Sequence, residues 1–248
     1  MSRSVNFLRS TLPLLLCLAA APLVALAAEF GASIVASPDR SADDTKNDAH
    51  RKPAELIDFT GVKPGWKVLD MVAGGGYTTE LMARAVGGSG RVYAQTTADS
   101  PEKARNALKE RMTKPVMANV EIAETTMDAP VPAKVHDLDL ITLILNYHDV
   151  AWLPVDRPKM NKAMFDGLKK GGVLVIVDHA AKPGEGITVA KSLHRIEEAT
   201  VVKEVEAAGF KKVAEANFLR HPEDPKDKAF FQMDNQPTDQ FVLKFVKP

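Results

Sequence analysis

Residues Val68 to Thr79, VLDMVAGGGYTT, set an acid and three glycines between an apolar segment and the polar start of the next. Gly74, Gly75 and Gly76 carry no Cβ. Their backbone N–H groups can therefore approach a ligand closely at the mouth of a helix, where the helix dipole favours negative charge. Asp70 stands where its carboxylate can hold an adjacent charge or the N–H groups of the turn. The spacing Asp70-x-Val72-x-Gly74-x-Gly76 differs from the G-x-G-x-x-G of a dinucleotide-binding turn. A strand-to-helix turn without a ligand uses the same glycines, so the run by itself leaves both readings open.

A second set is titratable. Asn146-Tyr147-His148-Asp149 directly follows the apolar LDLITLIL (Leu138–Leu145), and Asp178-His179 directly follows VLVIV (Val173–Val177). His194-Arg195 lies in the segment that returns from there. Histidine suits proton transfer near neutral pH. One histidine alone is better read as structural, but three with two acids on one rim point to a site. Two imidazoles and a carboxylate are also a metal-ligand set. No H-x-x-x-H or similar spacing accompanies them, so the sequence assigns no metal. His136 and His221 sit in polar loops and receive no role. His50-Arg51-Lys52 reads as the solvated, charged start of a helix.

These groups need elements to hold them. Apolar positions at helical spacing predict helices over Pro53–Thr60, Tyr77–Val86, Ser100–Met112, Pro158–Leu168 and Arg195–Ala208. Strands are predicted at Lys67–Leu69, Val92–Ala94, Val120–Ala123, Leu138–Leu145 and Val173–Val177, with two more at Phe210–Leu219 and Gln240–Val246. The almost wholly apolar Leu138–Leu145 is the pattern of a central parallel strand covered on both faces. Lys169-Lys170-Gly171-Gly172 reads as a turn. Strands alternating with helices argue for an α/β, doubly wound, mostly parallel seven-stranded sheet. The crevice beyond the carboxyl ends of such strands is where ligands bind.

The turn resembles motif I of the class I S-adenosylmethionine (SAM)-dependent methyltransferases, D-x-G-x-G-x-G, with Val72 in place of the first glycine. The final helix, strand, loop and strand resemble the antiparallel hairpin that closes that family's sheet. LKKGGVLVIVDHA (Leu168–Ala180) resembles the family's fifth strand. More narrowly, the chain is similar to exported bacterial methyltransferases that join a signal peptide to this domain. The resemblance implies SAM as cofactor, held by Asp70, Ala73, Gly74, Gly76, Gln95, Asp128 and Asn146. Gln95 stands where the family has an acid on the ribose hydroxyls, with Asp99 four residues on as a substitute. Asp128, after apolar Met127, stands where an acid faces the adenine amino group. Tyr147, His148, Asp149, His179 and His194 are left to orient or deprotonate a small-molecule acceptor. Amino-methylating relatives carry an Asn/Asp-Pro-Pro-Tyr turn where this chain has Asn146-Tyr147-His148-Asp149. Two other readings remain: an exported binding protein of this fold without transfer activity, and a metal or acid–base enzyme working from the histidine rim without SAM.

Composition sets bounds. Arg3 and Arg9, the apolar run Leu12–Leu26 and the small-x-small Ala25-Leu26-Ala27 read as a signal peptide over residues 1–27. It implies export to the periplasm and no stable membrane anchor once cut. Cys17, the one cysteine, lies inside it, so the expected mature chain has no disulfide and no thiolate. Losing those two arginines leaves 30 basic against 32 acidic residues, and no basic excess argues for nucleic acid. Residues 28–48, polar and rich in aspartate, read as a mobile arm before a domain over residues 49–248.

Overall fold

The computed structural model describes residue 1 and residues 23–234 and 236–248. The expected signal peptide lies mostly outside the described residues, and the expected cut after Ala27 falls within the first helix. No helix among the described residues is long and apolar enough to cross a membrane.

Seven strands form one sheet: β1 Lys67–Met71, β2 Arg91–Thr96, β3 Val120–Glu124, β4 Leu138–Ile144, β5 Leu168–His179, β6 Lys211–Ala216 and β7 Gln240–Val246. Their order is β3-β2-β1-β4-β5-β7-β6. The first five are parallel, and β7 runs antiparallel between β5 and β6. This is the doubly wound sheet with a closing hairpin that the sequence predicts. All seven residues of β4 are buried, as its unbroken apolar run requires. Alternation splits the core by face. Leu69, Met71, Ile141 and Leu143 pack on one side, and Val68, Leu140, Val175 and Val177 on the other.

Nine helices are described: α1 Leu23–Val35, α2 Ala42–Arg51, α3 Pro53–Thr60, α4 Tyr77–Val86, α5 Glu102–Arg111, α6 Tyr147–Trp152, α7 Arg157–Gly167, α8 Ala190–Leu193 and α9 Glu198–Ala207. Two corrections follow. Lys169 to Gly172 is not a turn but the bulged start of β5, with Gly171 at φ +76° and a register shift against Leu138/Leu140. The expected arm is helical and docked. Gly31 of α1 lies so close to α3 that a Cβ would meet the Ala54 carbonyl oxygen at 2.2 Å, and its N–H donates to Asp58 Oδ1 at 2.8 Å. Ser41 caps α2 by accepting the Asp44 N–H at 3.1 Å. Helix α2 is then held by charge. Arg111 of α5 pairs with Asp44, Arg40 pairs with Asp48, and the Tyr77 hydroxyl donates to Asp48 at 2.7 Å. A helix bound through ion pairs shows no apolar stripe, which is why ADDTKNDAHR reads as an arm.

Candidate active site

The turn after β1 is braced from below. Asp70 points into the sheet and accepts the Thr79 hydroxyl at 2.6 Å and the Thr142 hydroxyl at 2.8 Å. Burial pushes its pKa up to about 6 against the pull of those two bonds. Gln95, near the end of β2, is fully buried. Its Oε1 accepts the Val72 N–H at 2.9 Å, and its amide donates to the Thr96 carbonyl and the Thr125 hydroxyl, each at 3.2 Å. The expected ribose grip is therefore corrected: the side chain of Gln95 is spent on the turn itself. The Gln95 carbonyl also accepts the Ala73 N–H at 2.9 Å.

The turn's upper surface is different. Val72, Gly74 and Gly76 all have positive φ, at +53°, +56° and +83°. For a β-branched residue such as Val72 this is strained. A Cβ at Gly76 would come within 2.8 Å of Leu108, so that glycine serves packing against α5. A Cβ at Gly74 would meet only the Val72 carbonyl, at 3.9 Å, so Gly74 faces open space. No side chain caps the start of α4, leaving its first N–H groups free for a ligand. These features fit the methionine end of SAM.

Two cavities open at the strands' carboxyl ends, on either side of β1 in the sheet order. One, of about 480 Å³, lies over β2 and β3 and is lined by Asp99, Met127 and Asp128 among others. It brings together Asp99, the substitute for the ribose acid, and the adenine-assigned Met127 and Asp128, although Asp128 Oδ1 also accepts the Asp156 N–H at 2.8 Å. The other, of about 800 Å³, lies over β4, β5 and β7. His148, Asp149, His179 and His194 line it, so the structure unites these rim residues, and Asn146, expected at the cofactor, lines this cavity rather than the smaller one. Asn146, which precedes α6, donates its amide to the Ile144 carbonyl at 2.7 Å.

Tyr147 is corrected. It is buried on the far side of α6, where its hydroxyl donates to Glu204 at 2.9 Å and accepts from Asn161 at 2.8 Å. One residue along the helix, His148 faces the cavity. Its Nδ1 lies 2.6 Å from Asp178 Oδ1, and its backbone N–H donates to Asp178 Oδ2 at 2.7 Å. Burial opposes charge on His148, but the Asp178 carboxylate, aided by Asp149, outweighs it and raises the pKa. His179 is displaced the other way. Burial, then the neighbouring charges of His148, Arg195, Arg51 and His194, hold it well below its ordinary value. Its Nδ1 lies 2.7 Å from the Thr238 hydroxyl. The two imidazoles, with ring centroids 5.8 Å apart, are thus displaced in opposite directions by their surroundings.

Several site residues escaped the sequence. Arg51 lines the larger cavity with its guanidinium 6.0 Å above the Tyr77 ring, and burial lowers its pKa. Phe230 stacks on His179 at 5.1 Å and Phe231 packs on His194 at 5.5 Å, yet they are 48% and 63% exposed. His221 also lines this cavity. The loop carrying the phenylalanines is anchored by Arg195, which pairs with Asp224 at 2.7 Å, both side chains out of water, and donates to the Ala180 and Lys228 carbonyls.

Sheet order, glycine turn and paired cavities define a class I methyltransferase fold. The profile of the ubiE/COQ5 methyltransferase family matches residues 45–197, and the chain belongs to that family. It is accordingly a methyltransferase dependent on SAM. It is 29% identical over 181 residues to the ubiquinone/menaquinone biosynthesis C-methyltransferase UbiE of Cronobacter sakazakii, covering 70% of this chain and 67% of that one. With the UbiE of Enterobacter sp. (strain 638) it shares 32% identity over 127 residues, 49% of this chain and 46% of that one. Among solved structures, a SAM-dependent methyltransferase from Aquifex aeolicus superposes with a TM-score of 0.60 at 20% identity, over 88% of this chain and 98% of that one. The [4+2]-cyclase SpnF superposes at 0.58 with 14% identity, over 79% and 82%. At these identities the two structures speak to the fold alone.

Proposed function

We propose that this protein is an exported enzyme that transfers the SAM methyl group to a planar, ring-bearing small molecule held in the 800 Å³ cavity. The carrying observation is the pair of cavities on either side of an open glycine turn, one lined by Asp99, Met127 and Asp128, the other by histidines and two exposed phenylalanines. Phe230 and Phe231 offer faces on which a ring can stack, at spacings typical of aromatic pairs. UbiE relatives act in quinone biosynthesis by name, which supports a ring-bearing acceptor. SAM supplies the methyl group on its sulfonium. Gly74 and the first N–H groups of α4 would hold the donor, and an imidazole of the cavity wall would take the proton that the acceptor loses. The chain's main contribution is placing the two reactants in register, which is worth several kcal/mol in such displacements.

Calorimetric titration with SAM and with S-adenosylhomocysteine tests this. Both are expected to bind, and Gly74→Val is expected to abolish binding, because valine at φ +56° is strained and its side chain fills the open face. A folded Gly74→Val protein that binds as wild type does would remove the turn from the cofactor site. Absence of SAM binding by wild type would favour the histidine-rim enzyme instead. Gln95, buried where relatives are expected to have a ribose acid, favours a second reading as a SAM-binding protein without turnover; that protein would bind SAM and never release S-adenosylhomocysteine.

A further inference from the structure

Three groups on the wall of the larger cavity are spaced for a different partner. His148 Nε2 lies 3.4 Å from Asp149 Oδ1, and His194 Nδ1 lies 3.4 Å from the same oxygen. Both distances exceed the range of a good N–H···O hydrogen bond, which ends near about 3.2 Å. Ligand bonds of about 2.0–2.1 Å arranged tetrahedrally put donor atoms roughly 3.3–3.4 Å apart. All three donor atoms lie within 4.8 Å of one another. We propose that His148, Asp149 and His194 bind a divalent first-row transition-metal ion, for which zinc, held in catalytic sites by two imidazoles and one carboxylate, is the probe.

Three further features fit. Asp178 is fully buried and fixed, since its oxygens also accept the backbone N–H groups of His148 and His179. By taking Nδ1 of His148 it leaves the Nε2 lone pair for the ion, the outer carboxylate–histidine arrangement common to metal sites. His194 sits in the left-handed region, at φ 52° and ψ 48°, which costs energy for a non-glycine residue. That conformation sets its ring edge-on to His148, with centroids 5.4 Å apart. The site also has an open side. The three ligands border the 800 Å³ cavity, so remaining positions are free for water or for an oxygen of a molecule bound there.

The inference does not depend on SAM binding, and the experiment keeps the two apart. Untagged protein is titrated with zinc, with magnesium and, separately, with SAM, and cobalt is added as a spectroscopic probe. One equivalent of zinc is expected to bind, magnesium is not, and cobalt is expected to show the visible bands of a four-coordinate site. Asp149→Ala and His194→Ala should each remove the site, and Asp178→Asn should weaken zinc about 10- to 100-fold without touching a ligand atom. Asp149 and His194 are partly exposed, so these variants keep the fold. Asp149→Asn and His194→Gln serve as milder replacements if either alanine variant is unstable. SAM binding preserved in the zinc-deficient variants would mark the ion as a separate function of the wall. Absence of zinc binding, or zinc binding unchanged by the Asp149 and His194 substitutions, would overturn the proposal.

Discussion

Asp70 braces the glycine turn from inside the sheet, through the hydroxyls of Thr79 and Thr142. Its folded pKa of about 6 lies above its unfolded value of about 3.9. The native state therefore binds more protons between these values. The stabilisation linked to this proton is complete below about pH 4 and is lost as pH rises through about 6, a change on the order of 3 kcal/mol. Asp70→Asn keeps shape and can still bond Thr79 and Thr142, so it is expected to flatten that slope and to be the more stable protein at neutral pH. Urea unfolding of both proteins across this window checks it; a constant difference would clear Asp70 of the effect. Legibility at this scale followed side-chain type more than direction. The open glycine and the His148, Asp149, His179 and His194 cluster were readable because their chemistry is local to strand ends. Tyr147 and Gln95 were misplaced because a side chain's direction at an element's end depends on a single residue of phase, which no spacing rule supplies.

At the scale of elements, the strongest dependence runs from Arg195 to the loop that carries Phe230 and Phe231. Both partners of the Arg195–Asp224 pair are out of water. Arg195→Met leaves a buried carboxylate uncompensated and is expected to cost about 3–5 kcal/mol. The double variant Arg195→Met/Asp224→Leu should recover part of that loss, and thermal or urea unfolding of the three proteins measures both. Equal stability of wild type and Arg195→Met would show that the loop is held by its other contacts. Apolar periodicity located α3, α4, α7 and β7 closely, since burial on one face dictates their composition. It missed α2 and the short α6 and α8, whose positions are fixed by ion pairs and by neighbouring elements. It also shortened β5, where Gly171 and Gly172 carry a bulge that looks like a turn.

For the whole molecule, the doubly wound seven-stranded sheet and its antiparallel closing hairpin followed from alternation of strands and helices together with the resemblance in motif I and at the C-terminus, while the strand order came from the structure. Export remains a prediction drawn from the first 27 residues. N-terminal sequencing of protein recovered from the periplasmic fraction should begin at Ala28, and an intact Met1 on envelope protein would contradict it. The docked amino terminus then takes on a meaning of its own. Helix α2 meets the cofactor turn through Arg111, which pairs with Asp44 while its Nε donates to the Gly75 carbonyl at 2.8 Å. Residues far apart in the chain thus share one guanidinium, so the docked helix and the glycine turn are held by the same side chain. Loosening of α2 would therefore reach the glycine turn through that one side chain.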